Sequence, residues 1–285
     1  MNVVVVNDNQ IEQIVQFMYE QNNCSKHHIG YCGKNKDEIK SSVIELIEDN
    51  NKFFMTCDED KLNGVMGYEK YDNNVEIWGP FLRDKNVQAL DMLWDNMMNS
   101  INDSKCKYYI HCNSENEIAK EFALDKGFKF ICQGKTMSLS LKDLDIPIHD
   151  NISTIIKSDY DVFSSLHDIT FPNTNYNGKQ IINMLDDEHE LFVVKENSKL
   201  VGYIFISMDL EFNEGDIEYI GVDLSCRGKG YGKQLIYEAL RCLREKGITE
   251  LQLWVNTQNK YAISLYTKVG FNIVDKLMSY AYSQN

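Results

Sequence analysis

The chain has 285 residues, with 43 acidic against 29 basic side chains and a formal net charge of −14. That balance argues against a non-specific nucleic-acid binder, and no apolar run approaches the length of a membrane span. Val3–Val6 is too short for a signal-peptide core and no charged leader precedes it, so the expected location is the cytoplasm. The 8 cysteines include no Cys-x-x-Cys pair. Cys57, Cys112 and Cys132 fall in strand-like apolar surroundings, where cysteine acts as a small hydrophobe. The cluster Cys24, His27, His28 and Cys32 matches no common zinc spacing. It reads as a polar loop, and no metal ligand is assigned.

Apolar periodicity and turn chemistry predict the elements in order. Strands are expected at Asn2–Asn7, Phe53–Cys57, Gly64–Tyr71, Val75–Phe81 and Lys107–Cys112, and helices at Gln10–Gln21, Lys36–Asn50, Val87–Asn102 and Glu115–Lys126. Lys142–Asp150, which holds Pro147, reads as a connector. Beyond it come a strand at Ile152–Lys157, helices at Tyr160–Ile169 and Gly178–Asp187, and strands at Leu191–Lys195, Val201–Asp209 and Asp216–Val222. Leu235, Ile236, Ala239, Leu240 and Leu243 mark one face of a following helix. Residues 250–258 open as a strand, Asn259 can cap the next helix, Gly270 ends it, and Phe271 starts a last strand pair. The expected class is mixed α/β (α+β), with a central sheet flanked by helices. Each half is long enough to bury its own core.

Residues 227–232 read Arg-Gly-Lys-Gly-Tyr-Gly at a strand-to-helix turn. Glycines there allow left-handed angles and close ligand approach. The free N–H groups of the turn and helix start favour an anion, most simply phosphate. Between Cys226 and Ile248 there are six basic residues (Arg227, Lys229, Lys233, Arg241, Arg244, Lys246) and two acidic ones. That suggests a local positive island on an acidic protein. A Gly-rich turn before a solvated helix face is the plain alternative, and neither standard nucleotide fingerprint fits.

The order strand, Arg-Gly-Lys-Gly-Tyr-Gly, helix, strand, Asn-x-x-Ala-x-x-x-Tyr-x-x-x-Gly-Phe resembles the GNAT superfamily of acyl-CoA-dependent N-acetyltransferases. The resemblance runs from about Ile152 to the C-terminus. Arg227, Gly230 and Gly232 fit its pyrophosphate loop, and Asn259, Ala262, Leu265 and Tyr266 its second motif. It implies acetyl-CoA as co-substrate, held by Arg227, Gly228, Lys229, Gly230, Tyr231, Gly232, Lys233 and Asn259. It also implies that the backbone of Ile220, Gly221 and Val222 lines the pantetheine arm and acetyl group, and that Tyr266 is the general acid.

A shift of 143 residues pairs Asn256 with Asn113, Asn259 with Asn116, Ala262 with Ala119, Gly270 with Gly127 and Phe271 with Phe128. The chain therefore reads as two tandem GNAT-like domains, 1–142 and 150–285. The first lacks the working parts. Arg227 through Gly232 become Asp84, Lys85, Asn86, Val87, Gln88 and Ala89, and Tyr266 becomes Ala123. The N-terminal copy is expected to be degenerate, supporting the second.

An amine acceptor must lose a proton before it attacks a thioester. Asp216 and Glu218 lie two apart on a strand, so both face one side. Glu218 is the preferred base; holding the ammonium, or pairing with a lysine, is its alternative role. Acidic runs at Asp186–Glu190 and Asp209–Glu218 suggest a cationic amine, small or peptidic, and Phe171–Gly178 should border the acceptor site. No nucleic-acid or membrane partner is expected, and the chain is expected to be a monomer or homodimer. The alternative function is a non-catalytic CoA-binding regulatory or interaction module.

Overall fold

The computed structural model describes residues 2–58, 61–172 and 174–284. It separates into two compact units, one comprising residues up to Lys135 and from Asp275 onward, the other Thr136–Val274. The expected division at 142/150 runs in chain order. The compact units do not, because the C-terminal strand returns to the first unit. No helix among the described residues is long and apolar enough to cross a membrane.

In the first unit β1 (Asn2–Val5), β2 (Phe53–Asp58), β3 (Lys61–Tyr71) and β4 (Asn74–Leu82) pair antiparallel in sequence order. β4 pairs parallel with β5 (Lys107–Asn113), and β5 pairs antiparallel with β12 (Asn272–Ser283) over Leu277–Ser283. Without β12 one side of β5 would be an open edge. Buried Asp275 anchors the returning strand: Lys34 forms an ion pair with it, and Asn113 Nδ2 donates to its Oδ1 at 2.7 Å. The helices are α1 (Ile11–Asn22), α2 (Lys36–Glu48), α3 (Val87–Ile101) and α4 (Glu117–Asp125). Trp94 of α3 packs edge-on against Tyr108, Phe122, Phe128 and Tyr282, so the core itself holds β12 in place.

In the second unit the strand order is β6 (Lys129–Ser140), β11 (Glu250–Asn256), β10 (Glu214–Val222), β9 (Lys199–Asp209), β8 (His189–Glu196) and β7 (Ile152–Thr154). β6 passes from the first unit into the second at Lys135/Thr136. α5 (Tyr160–Thr170) and α6 (Gly178–Met184) cover one face, while α7 (Tyr231–Glu245) and α8 (Lys260–Val269) cover the other. The run Leu200–Ile206 is therefore buried residue after residue, alternating between the two cores. A strand covered on both faces reads as continuous apolar sequence rather than as an alternation.

The 143-residue echo is repeated in hydrogen bonds. Asn116 caps α4 by accepting from Ala119 N at 3.0 Å, and Asn259 caps α8 by accepting from Ala262 N at 3.1 Å. Asn113 and Asn256 each accept from the N–H two residues on, at 3.0 and 2.9 Å. Gly127 and Gly270 end their helices at positive φ. Two expectations need correction. Lys129–Ser140, not assigned an element above, is a 12-residue strand, and the end of the chain is one strand, β12, rather than a pair. Each strand carries two adjacent exposed apolar residues, Phe130 and Ile131 in β6 and Ile273 and Val274 in β12, which blurs the alternation that marks a half-buried strand.

Candidate active site in the second unit

The site begins where two parallel strands part. β10 and β11 pair only from Glu214–Glu250 to Asp216–Gln252, although β10 runs on to Val222 and β11 to Asn256. The cause lies on the other side of β10. Its pairing with β9 slips between Ile217 and Tyr219, leaving Glu218 as the extra residue. A bulge bends and twists its strand, and here it turns β10 away from β11. Ile220, Gly221 and Val222 lie beyond the bulge, along the edge that has parted from β11.

The bulge also aims side chains. Ile217 packs on the α7 side and Tyr219 on the α5 side. Glu218 is exposed, and its Oε1 accepts from Ser207 Oγ at 2.7 Å. Ser207 follows Tyr203 and Phe205 at two-residue steps along β9, so Glu218 lies towards the α5 face. Asp216, whose partner across the ladder is Ser207, lies there too. The two carboxylates thus share a face, as the spacing predicts.

Past β10, Asp223 Oδ1 accepts from Ser225 N at 2.9 Å and starts the turn. Arg227 folds back, its Nε donating to Val222 O at 3.0 Å. Gly228 and Gly230 have φ of +82° and +88°, and a Cβ at either would meet nothing within 4 Å. Among the described residues, no N–H from Gly228 to Gly232 bonds to another part of the protein. Gly230 is the N-cap of α7 and has no capping side chain. Five unpaired donors at the positive end of a 15-residue helix, open to space, make a fitting seat for phosphate oxygens. Gly232 does something else: a Cβ there would press on Leu265 Cδ2 at 3.1 Å, so this glycine lets α7 approach α8 closely.

The charges are arranged differently from the expected island. Arg227, Lys229 and Lys233 flank the turn, but Arg241, Arg244 and Lys246 lie about 15 Å or more along the helix. Arg241 pairs with Glu238 and Glu245, and Lys246 with Glu190. Lys233 stacks its ammonium over Tyr237 at 5.2 Å. Glu196, not singled out from sequence, accepts from Lys229 Nζ at 2.8 Å and from Tyr231 OH at 2.8 Å. The residues lie 33 and 35 apart, so no local pattern marks the contact.

Tyr266 lies on the buried side of α8, 5% exposed, with its ring edge-on to Phe271 at 5.6 Å. Burial pushes its phenol pKa well above the ordinary value. Its hydroxyl has no hydrogen-bond partner among the described residues, yet it is not one of the sealed orphan polar atoms. The oxygen therefore reaches open space. Asn259 keeps Oδ1 on its cap and leaves Nδ2 available.

On the α5 face, His167 ties the loop after α5. Its Nε2 lies 2.9 Å from Tyr176 O and its Nδ1 2.7 Å from Tyr203 OH. A carbonyl only accepts, so Nε2 carries the hydrogen and Nδ1 accepts from the phenol. Desolvation lowers the pKa of His167 and favours this neutral form. Thr174 Oγ1 donates to Tyr219 OH at 2.5 Å. Asn173, within the loop expected to border the acceptor, lies outside the described residues. The acidic runs are partly engaged locally: Asp186 bonds His189, Asp209 closes a turn through Glu211 N and Phe212 N, and Glu190 pairs with Lys246.

In the first unit Cys24 is exposed while Cys32 is buried, and the loop between them does structural work. Ile29 bridges Cys112, Gly30 N donates to His111 O at 2.6 Å, and Asn113 N donates to His28 O at 3.0 Å.

A model of the acetyltransferase (GNAT) family matches residues 153–271. An uncharacterized N-acetyltransferase of Methanocaldococcus jannaschii is 36% identical over 93 residues, which cover 31% of this chain and 41% of that relative. The chain thus spans about two fifths of the length of that curated relative. A GCN5-related N-acetyltransferase from Sphaerobacter thermophilus has the same fold, with a TM-score of 0.78 at 13% identity, covering 99% of this chain and 96% of the other. A tandem GNAT protein from the clavulanic acid biosynthesis pathway aligns over 100% of this chain and 99% of its own, with a TM-score of 0.66 at 12% identity.

Proposed function

We propose that the second unit, whose residues 153–271 match a model of the acetyltransferase (GNAT) family, transfers an acetyl group from acetyl-CoA to a primary amine by direct attack. The observation that carries this reading is the uncapped start of α7, with its unpaired N–H groups beside the parted strands β10 and β11. Gly228 to Gly232 would hold the pyrophosphate through backbone donors, helped by Arg227 and Lys233. Acetyl-CoA, when bound, supplies an acetyl group activated as a thioester. The free edge at Ile220–Val222 would carry N–H groups towards the charge that develops on the carbonyl oxygen. Glu218 would take a proton from the bound ammonium, leaving the neutral amine to attack the thioester carbonyl. Tyr266, buried and protonated, would give a proton or hydrogen bond to the departing sulfur. Glu218 and Asp216 on one exposed face favour a cationic acceptor.

One site per chain is the first expected result. In the first unit Asn86 caps α3 by accepting from Ala89 N at 3.0 Å, where α7 has only Gly230. Lys85 pairs with Glu121 and Lys126 with Asp91, two ties from the start of α3 to α4. β4 and β5 also part after Glu76–Tyr109, but His28–Gly30 pairs with β5 in the gap. Titration calorimetry with acetyl-CoA should give a single site. Two equivalent sites, or loss of binding on changing Asp84–Ala89, would refute the assignment.

Glu218→Gln tests the base. The variant keeps the bond from Ser207 but cannot accept a proton as a carboxylate does. With a lysine-like amine of reference pKa roughly 10, kcat/KM near neutral pH should fall, and the loss should shrink as free amine accumulates at higher pH. Release of free CoA thiol over a panel of amines measures it. A loss that is equal from about pH 6 to about pH 9 means that Glu218 only positions the substrate.

A further inference from the structure

Glu196 ends β8, on the strand hairpin that turns at Asn197 and Ser198, both at positive φ. Its carboxylate reaches across to the glycine turn before α7. Oε1 accepts from Lys229 Nζ at 2.8 Å and from Tyr231 OH at 2.8 Å, Oε2 accepts from Lys229 Nζ at 3.0 Å, and Cys226 Sγ lies 3.5 Å from Oε2. Both oxygens are thus occupied by side chains that alternate with the two left-handed glycines, and the turn's N–H groups are left free. A carboxylate and a phosphate oxygen present the same acceptor chemistry to an ammonium and a phenol. Lys229 can satisfy one anion fully or share itself between two that repel each other.

We propose that Glu196 is a built-in competitor for the cofactor's phosphates: it holds Lys229 and Tyr231 on an internal carboxylate, leaving the pyrophosphate to backbone donors. This rests on the reading of the turn as the acetyl-CoA site. The turn is thereby kept open in one conformation while its net charge is reduced. The consequence is moderated affinity, which favours departure of CoA after transfer, since CoA and acetyl-CoA carry the same phosphates.

The test uses the whole chain, with acetyl-CoA and CoA as probes in calorimetry. Glu196→Gln keeps the size and an acceptor for Tyr231 but removes the charge. It should tighten both ligands by roughly three- to tenfold and steepen the decline of affinity with salt, because Lys229 then answers to phosphate. Lys229→Met placed on top of Glu196→Gln should erase the gain, because the tightening comes from a freed Lys229; a purely structural Glu196 gives no gain to erase. Unchanged or weaker binding by a folded Glu196→Gln protein, while the wild type binds, overturns the competitor and leaves Glu196 as a clamp. Failure of the wild type to bind either probe overturns the cofactor reading and this proposal with it.

Discussion

Replacing Gly230 by valine is expected to lower acetyl-CoA affinity at least tenfold, a change of about 1.4 kcal/mol or more, in a protein that remains folded. Two effects act together. The residue holds φ at +88°, where a β-branched side chain is strained by about 1–3 kcal/mol. The new side chain would also project into the open space where an ideal Cβ meets nothing within 4 Å. That openness is why the fold should survive: no protein neighbour is displaced, and the strain is confined to an exposed turn. The contrast with Gly232 sharpens the test. A side chain at Gly232 would press on Leu265 and move α7 against α8, so its cost should appear in stability as well as in binding. Calorimetry and thermal unfolding on both variants separate the two roles. Wild-type affinity in a folded Gly230→Val protein would remove the turn from the cofactor site.

Tyr266→Phe should reduce kcat by roughly 10²–10⁴, the usual range for an acid–base group, with acetyl-CoA binding close to wild type. The substitution keeps the ring against Phe271 and removes only a hydroxyl that has no hydrogen-bond partner among the described residues, so stability should change little. The pH dependence follows from the direction of the shift. Burial raises the phenol pKa above its ordinary value, and the neutral, proton-bearing form persists further into alkali. Wild-type kcat should therefore not decline between about pH 8 and about pH 10 through loss of this proton. Stopped-flow measurement of the transfer step keeps product release from masking the effect. A phenylalanine variant with wild-type chemistry would leave Tyr266 as core packing alone.

Much of this protein is written locally. The turn Arg227–Gly232 carries its own instructions, since glycine tolerates positive φ and an uncapped helix start attracts anions whatever the surroundings. The second motif is equally self-contained: Asn259 caps α8 three residues on, and Gly270 ends it at positive φ. The same devices at Asn116 and Gly127 made the internal repeat legible. That the matching positions of the first half carry no glycine needs only the identities Asp84–Ala89.

Tertiary structure decided the rest, because it depends on pairings that local pattern does not encode. Lys34 meets Asp275 across 241 residues, and with Asn113 it holds the final strand in the first unit. The bulge at Glu218 arises from a slip in register against β9, and it sets both the parting of β10 from β11 and the opposite faces taken by Ile217 and Tyr219. Charge counted along α7 suggested one basic patch; helical rise spread it along the axis, and Glu196, Glu190 and Glu238 took up three of its cations. The gap beside β5 in the first unit is filled by Ile29, a residue whose sequence context reads only as loop. Short-range turn and capping chemistry is fixed by a handful of neighbouring atoms. Strand register, ion-pair choice and the occupant of a gap are settled only when distant segments compete for the same donors and acceptors in the folded chain.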